Sequence, residues 1–164
     1  MKEINILGAN RFETHSKIRV GCRAVVIDNG KLLVTYEKVG DSWILPGGGL
    51  KDNETLEECC AREIEEETGY LVKPTNKFLV INEFYEEYKY VSHYFVCEVV
   101  GKSQMKLTNP EQLRCLKSQW IDIEQFIKIV SEHQKYADVS EEKRGSYMRE
   151  YTAIKYYTDN SKIQ

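Results

Sequence analysis

The stretch GGLKDNETLEECCAREIEEETGY, from Gly48 to Tyr70, decides how this chain is read. Its glutamates follow a pattern that folding alone does not call for. After Gly48 come Glu54, then Arg62-Glu63-Ile64, then Glu66-Glu67, and then Gly69. The run from Thr55 to Thr68 is predicted helical. There Glu63 and Glu67 are i and i+4, and Glu66 is i+3 from Glu63, so at about 100° per residue the three share one stripe. Like charges so spaced repel by roughly 0.2–0.5 kcal/mol per pair. A helix built only to fold would interleave lysines. A divalent cation removes the repulsion, and hard carboxylate oxygens suit Mg²⁺, with Mn²⁺ as a substitute.

These residues resemble the Nudix box, the signature of the Nudix hydrolases. That box reads glycine, five residues, glutamate, seven residues, Arg-Glu and a bulky aliphatic, one residue, Glu-Glu, one residue, then glycine and a second bulky aliphatic; Gly48, Glu54, Arg62, Glu63, Ile64, Glu66, Glu67 and Gly69 meet it. Tyr70 departs at the last position, which concerns packing rather than chemistry. The box spans about a seventh of the chain. The resemblance implies an α/β (α+β) fold, the Nudix-type α/β/α sandwich around a mixed β-sheet, with the box as loop–helix–loop. It also implies that the Gly48 carbonyl joins the metal shell. Glu63 and Glu67, one turn apart, are the first candidates as ligands. Glu66 is a third ligand or positions the attacking water. Arg62 orients a neighbouring glutamate by bidentate hydrogen bonding. Glu54, near the positive end of the helix, is assigned a structural role, paired with Arg62. The implied reaction is Mg²⁺-dependent hydrolysis of a diphosphate linkage in a nucleoside diphosphate joined to another group.

Composition agrees with a small-molecule enzyme. At 164 residues the chain is expected to form one domain, 1–164, with the box at 48–70. Its 23 Lys and Arg against 26 Asp and Glu leave a net charge of −3, so no basic field argues for a nucleic-acid partner. Five cysteines, Cys22, Cys59, Cys60, Cys97 and Cys115, include no C-x-x-C, so neither a disulfide framework nor a zinc site is indicated. Cys59 and Cys60 point about 100° apart on a helix, one into packing and the other toward the carboxylate stripe. The opening MKEINILGAN lacks the apolar core of a signal peptide, and no apolar run reaches about 18 residues. The expectation is a cytoplasmic protein with no membrane contact, a small nucleotide-type substrate, and a monomeric or homodimeric state.

Outward from the box, Ile18 to Ile27 is apolar and β-branched, a buried strand. Asn29-Gly30 is a hairpin turn, and Lys31 to Tyr36 is the return strand. Trp43-Ile44-Leu45 feeds Pro46 and the glycines. Asn53 or Asp52 is the expected helix N-cap, Leu56, Cys60 and Ile64 form the core-facing stripe, and Gly69 suits the left-handed C′ position. Phe78–Tyr85 and Tyr90–Val99 read as strands joined at 86–89, and 101–117 as irregular. Gln119-Trp120-Ile121 is a short strand, and Asp122 caps a helix through Val130. A C-terminal amphipathic helix runs over about 141–157, with Met148, Tyr151 and Ile154 on one face. It completes the sandwich, covers the site or pairs two subunits.

A general base outside the box has five candidates: Glu83, Glu86, Glu87, Glu98 and Glu111. His93, between apolar neighbours on a strand, reads as a hydrogen-bonded core histidine. Substrate identity thins out here. The proline marker of ADP-ribose hydrolases is absent around 84–87, and no coenzyme A hydrolase motif is visible. Tyr88 falls where dinucleoside-polyphosphate hydrolases carry a tyrosine, and with Glu87 it is the candidate substrate contact. Nucleoside triphosphates and nucleotide sugars stand level, with dinucleoside polyphosphates behind. Two other readings share the fold: a nucleotide-binding module without turnover, which typically loses the box glutamates this chain keeps, and an isopentenyl-diphosphate isomerase, which would press Cys22 or Cys97 into catalysis.

Overall fold

The computed structural model describes residues 1–161, so the last three positions of the domain expected over 1–164 lie outside the described residues. An edge strand, β1 (Lys2–Leu7), precedes the long β2 (Lys17–Asp28). Asn29 and Gly30 both take positive φ, 48° and 75°, the turn that suits the right-handed twist of a tight hairpin, and the chain returns as β3 (Lys31–Glu37). Two short strands follow, β4 (Ser42–Ile44) and β5 (Gly47–Gly49). Next come α1 (Leu56–Thr68), the hairpin β6 (Tyr70–Tyr85) and β7 (Tyr88–Lys102), α2 (Asn109–Leu113), β8 (Leu116–Asp122) and α3 (Ile123–Ser131). A 3₁₀ turn (His133–Tyr136) leads into α4 (Glu141–Ser161).

The sheet is mixed and runs β1-β6-β7-β2-β3-β4, with β5 also on β2 and β8 on β3. β1 lies parallel to β6 and β2 parallel to β7, and the remaining pairs are antiparallel. β2 changes partner along its length. At Ile27 and Asp28 it pairs with β3, whereas at Gly21, Cys22 and Arg23 it pairs with the glycines of β5. The two arms of the sheet part there, and the opening holds the site.

Strand alternation sends opposite residues of β2 to opposite faces. Cys22, Ala24 and Val26 pack with Cys59, Cys60 and Ile64 of α1. Val25 joins Tyr94, Phe126 of α3 and Tyr147, Ala153 and Ile154 of α4 in a second core. Helices thus cover both faces, the α/β/α sandwich.

Several local expectations need correction. The N-cap of α1 is Thr55, not Asn53 or Asp52. Thr55 and Glu58 form a reciprocal capping box, while Asn53 sits upstream at φ 62°. β6 starts at Tyr70, eight residues before the apolar run that betrays it. The stretch over 70–77, apolar at Tyr70–Val72 and polar or Pro beyond, is recruited by pairing with β7, with irregularities in register beside Pro74. The interval 101–117 contains α2, begun by Pro110 in the first turn and by Thr108 and Glu111 capping one another. Asp122 occupies the N-cap of α3 without a side-chain cap bond, its carboxylate paired with Lys31 instead. α4 extends to Ser161, a turn past 157. Among the described residues no helix is long and apolar enough to cross a membrane.

Candidate active site

Gly69 ends α1 at φ 73° with its N–H bonded to the Glu65 carbonyl, which fixes the helix against the start of β6. The carboxylate stripe of that helix lies against the β5 loop. Glu63 and Glu67 are buried, 8% and 5% exposed. Glu67 Oε2 accepts from the Gly47 N–H at 2.9 Å. A Cβ on Gly48 would stand 2.6 Å from Glu63 Cδ, so only glycine lets the loop pass this close. The Gly48 carbonyl lies 3.8 Å from Cys59 Sγ. Both adjacent cysteines are buried: Cys59 near this loop and Arg62, and Cys60 3.7 Å from Cys97 across the core.

Arg62 ties the stripe together. Its Nε and Nη2 donate to the two Glu54 oxygens at 2.6 and 2.9 Å, and Nη2 also donates to the Gly49 carbonyl at 3.0 Å. Nη1 donates to Glu63 at 2.6 Å and to Glu66 at 3.1 Å. The Arg62 guanidinium pulls the Glu54 carboxyl down to about 2. Burial pushes Glu63 up and Glu67 up to about 8. Desolvation disfavours the charged carboxylate, and a neighbouring carboxylate adds to it.

Glu111, from the distant α2, meets this pair. One oxygen each from Glu63, Glu67 and Glu111 lie within 4.8 Å of one another. Glu66 lies outside that trio, between Arg62 and Lys51, whose Nζ is 3.7 Å away. Of the five residues expected as a general base outside the box, Glu111 thus joins the carboxylate trio, and the other four are elsewhere. Glu83 is buried against Arg149, Glu86 and Glu98 are exposed, and Glu87 is paired with Lys17 and Ser16 on the surface. A converging set of oxygens, two of the three buried, is the donor chemistry of a hard divalent cation and fits Mg²⁺ or Mn²⁺.

Beside the carboxylates runs a cleft of about 540 Å³, its open mouth included, which reaches Gly48 and Gly49. Arg19, Arg23 and Arg149 line it together with Tyr90. The sequence reading missed this wall. Its signal was two arginines at alternate positions around Gly21 in an otherwise apolar strand. Tyr88 lies behind the wall, its ring stacked on Tyr90 at 5.5 Å.

The cysteines named for an isomerase are packed away. Cys22 donates to the Leu56 carbonyl at 3.1 Å, and its hydrogen bond with Cys59, with burial, pushes its thiol up. His93 departs from its expected hydrogen-bonded state, since its Nδ1 is buried without a partner among the described residues.

Comparisons with known proteins identify the family. The family model of the NUDIX domain matches residues 17–142. The chain is 31% identical over 121 residues to phosphatase NudJ of Shigella boydii, covering 71% of this chain and 74% of that protein. It is 30% identical over 103 residues to diphosphoinositol polyphosphate phosphohydrolase 3-alpha of Mus musculus, covering 63% of this chain. It spans only 61% of that mouse protein's length. The crystal structure of a MutT protein from Methanosarcina mazei superposes with a TM-score of 0.54 at 23% identity, over 71% of this chain and 84% of that one, a likeness of fold. With its sandwich, its box and its matched domain, this chain belongs to the Nudix hydrolase family.

Proposed function

We propose that the chain, as a single domain, is a divalent-metal-dependent pyrophosphohydrolase. It cleaves the diphosphate linkage of a nucleoside diphosphate joined to another group, of the nucleoside triphosphate or nucleotide sugar class. The observation that carries this reading is the convergence of Glu63, Glu67 and Glu111 beside the glycine loop. The names of the relatives, a phosphatase and a diphosphoinositol polyphosphate phosphohydrolase, support hydrolysis at phosphorus.

In this reading Glu63, Glu67 and Glu111, together with the Gly48 carbonyl, would hold Mg²⁺, or Mn²⁺ in its place. When bound, the ion would neutralise phosphate charge and make water more acidic for attack. Arg62 keeps Glu63 and Glu66 aimed, with Glu54 as its anchor. Glu66, more open than its neighbours, accepts the proton of the attacking water. Arg23 faces the phosphates from the cleft. The protein works in the cytoplasm as a monomer or homodimer.

The test is a phosphate-release panel in Mg²⁺ with nucleoside triphosphates, nucleotide sugars, ADP-ribose and dinucleoside polyphosphates, comparing wild type with Glu67→Gln. The expected outcome is turnover of one class, reduced by about 10²-fold or more in the variant. The apo variant should be as stable as wild type or more so, because an amide keeps the Gly47 hydrogen bond and cannot repel Glu63 and Glu111. A variant that unfolds would make Glu67 structural. Metal binding without turnover across the panel would move the reading to a nucleotide-binding module.

A further inference from the structure

One wall of the cleft carries an arginine–tyrosine pair that the reaction itself does not require. β2 and β7 run parallel in register, pairing Lys17 with Tyr88, Arg19 with Tyr90, Gly21 with Ser92 and Arg23 with Tyr94. Paired residues of parallel strands project to the same face. Of these, Arg19, Tyr90, Gly21, Ser92 and Arg23 line the cleft, the small Gly21–Ser92 pair leaving a hollow beside the Arg19–Tyr90 pair, while Tyr94 is buried in the core. The Tyr88 and Tyr90 rings stack with 17° between their planes. The Lys17 ammonium lies 5.0 Å and the Arg19 guanidinium 5.6 Å from the centre of the Tyr88 ring. Tyr90, held from behind by Tyr88, presents its remaining surface to the cleft.

Resting on the hydrolase reading above, we infer that Tyr90, with Arg19, is the wall against which a planar nucleobase stacks. Three features carry this. The first is position: the Arg19–Tyr90 pair stands two residues from Gly21, which pairs with Gly49 of the catalytic loop. That is about 7 Å along the strand, the room of one pentose between base and diphosphate. The second is charge. Arg149 is matched by Glu83 and Glu150, and Arg23 lies 3.7 Å from Glu150. Among the described residues only Arg19 of the three cleft arginines has no carboxylate partner. A cyclitol bearing many phosphates needs several free cations, whereas a neutral base needs an aromatic face and one cation. The third is rigidity, since a tyrosine already stacked on its neighbour loses little freedom when a base covers it.

The experiment is equilibrium binding to the full chain in Mg²⁺, so that it does not depend on turnover. The probes are adenosine and uridine α,β-methylene diphosphates, set against methylenediphosphonate, which has the P–C–P unit and no base. Wild type should bind the nucleoside probes at least about tenfold more tightly than the bare diphosphonate. Tyr90→Leu should erase that advantage and leave diphosphonate affinity unchanged, which also reports that the variant is folded. Tyr90→Phe should restore the advantage, because stacking needs the ring and not the hydroxyl. Equal affinity of wild type for all three probes, or a Tyr90→Leu loss shared by the diphosphonate, would overturn the assignment. Either result leaves the hydrolase reading standing, since that reading is decided by Glu67→Gln in the turnover panel.

Discussion

Arg62 donates all five of its N–H groups, to Glu54, Glu63, Glu66 and the Gly49 carbonyl. A lysine could not reproduce that fork. Glu54 touches none of the three clustered carboxylates, yet it takes two of the five bonds and sets the plane of the guanidinium. Glu54→Ala should therefore lower turnover by roughly tenfold to a hundredfold at saturating metal, as loss of an orienting partner does. Unchanged kcat would show that Glu63 and Glu66 keep their aim unaided. His93 bears on stability. Burial lowers its pKa below the usual value of 6.5. The native state then binds fewer protons than the unfolded chain. Its contribution is present above about pH 6.5 and is lost as pH falls through the lowered pKa. Between about pH 7.5 and about pH 5.5 the wild-type urea midpoint should fall further than that of His93→Gln. Parallel falls would remove His93 from the acid response.

At the scale of the element, α1 is positioned at both ends and the loop before it is strained into place. Thr55 and Glu58 satisfy one another's backbone donors at the N-terminus. Thr55→Ala should cost about 1 kcal/mol, read from a denaturation midpoint, with kcat nearly unchanged. The loop is less forgiving. Gly47 has φ 146°, and a Cβ there would stand 2.7 Å from the Arg23 Cα. Gly47→Ala should cost about 1–3 kcal/mol and turnover as well, because Glu67 receives its one backbone hydrogen bond from this residue. If the alanine variant keeps full activity, the loop tolerates another path. The carboxylate stripe and the left-handed Gly69 were legible at this scale because both follow from local periodicity. The cap was misread by two or three residues, since Asp, Asn and Thr all suit an N-cap and only the backbone decides among them. β6 was half missed for a related reason: the short apolar run Tyr70-Leu71-Val72 is cut off from Phe78 by Lys73, Pro74, Thr75, Asn76 and Lys77, and the strand is continuous because β7 pairs along it.

Across the whole molecule, α4 is bound to the sheet by charge as well as by apolar packing. Arg149 donates to Glu83 on β6 at 2.8 Å and to its neighbour Glu150 at 2.7 Å, and Glu150 also accepts from the Leu45 N–H at 3.4 Å. All three side chains are buried. Arg149→Met leaves two carboxylates in the core without their partner and should destabilise by about 3–5 kcal/mol, seen as a lower thermal midpoint. A small change would mean that water or a neighbour takes the place of the guanidinium. Long-range placement of this kind divides what could be read early from what could not. The amino-acid sequence alone determined the family and the helix that carries Glu63, Glu66 and Glu67 on one stripe. Those rest on residue type and spacing within 23 residues, Gly48 to Tyr70. Only the tertiary structure decided that one of the five glutamates named as an outside base joins the carboxylate cluster instead. It admitted Glu111, 44 positions after Glu67, and kept Glu66 at the rim with Arg62 and Lys51. It also decided that Arg19 and Tyr90 share a wall, because parallel strands distant in sequence are brought into register by burying their opposite faces. Local periodicity sets which way a side chain points; what it meets depends on how the sheet closes around it.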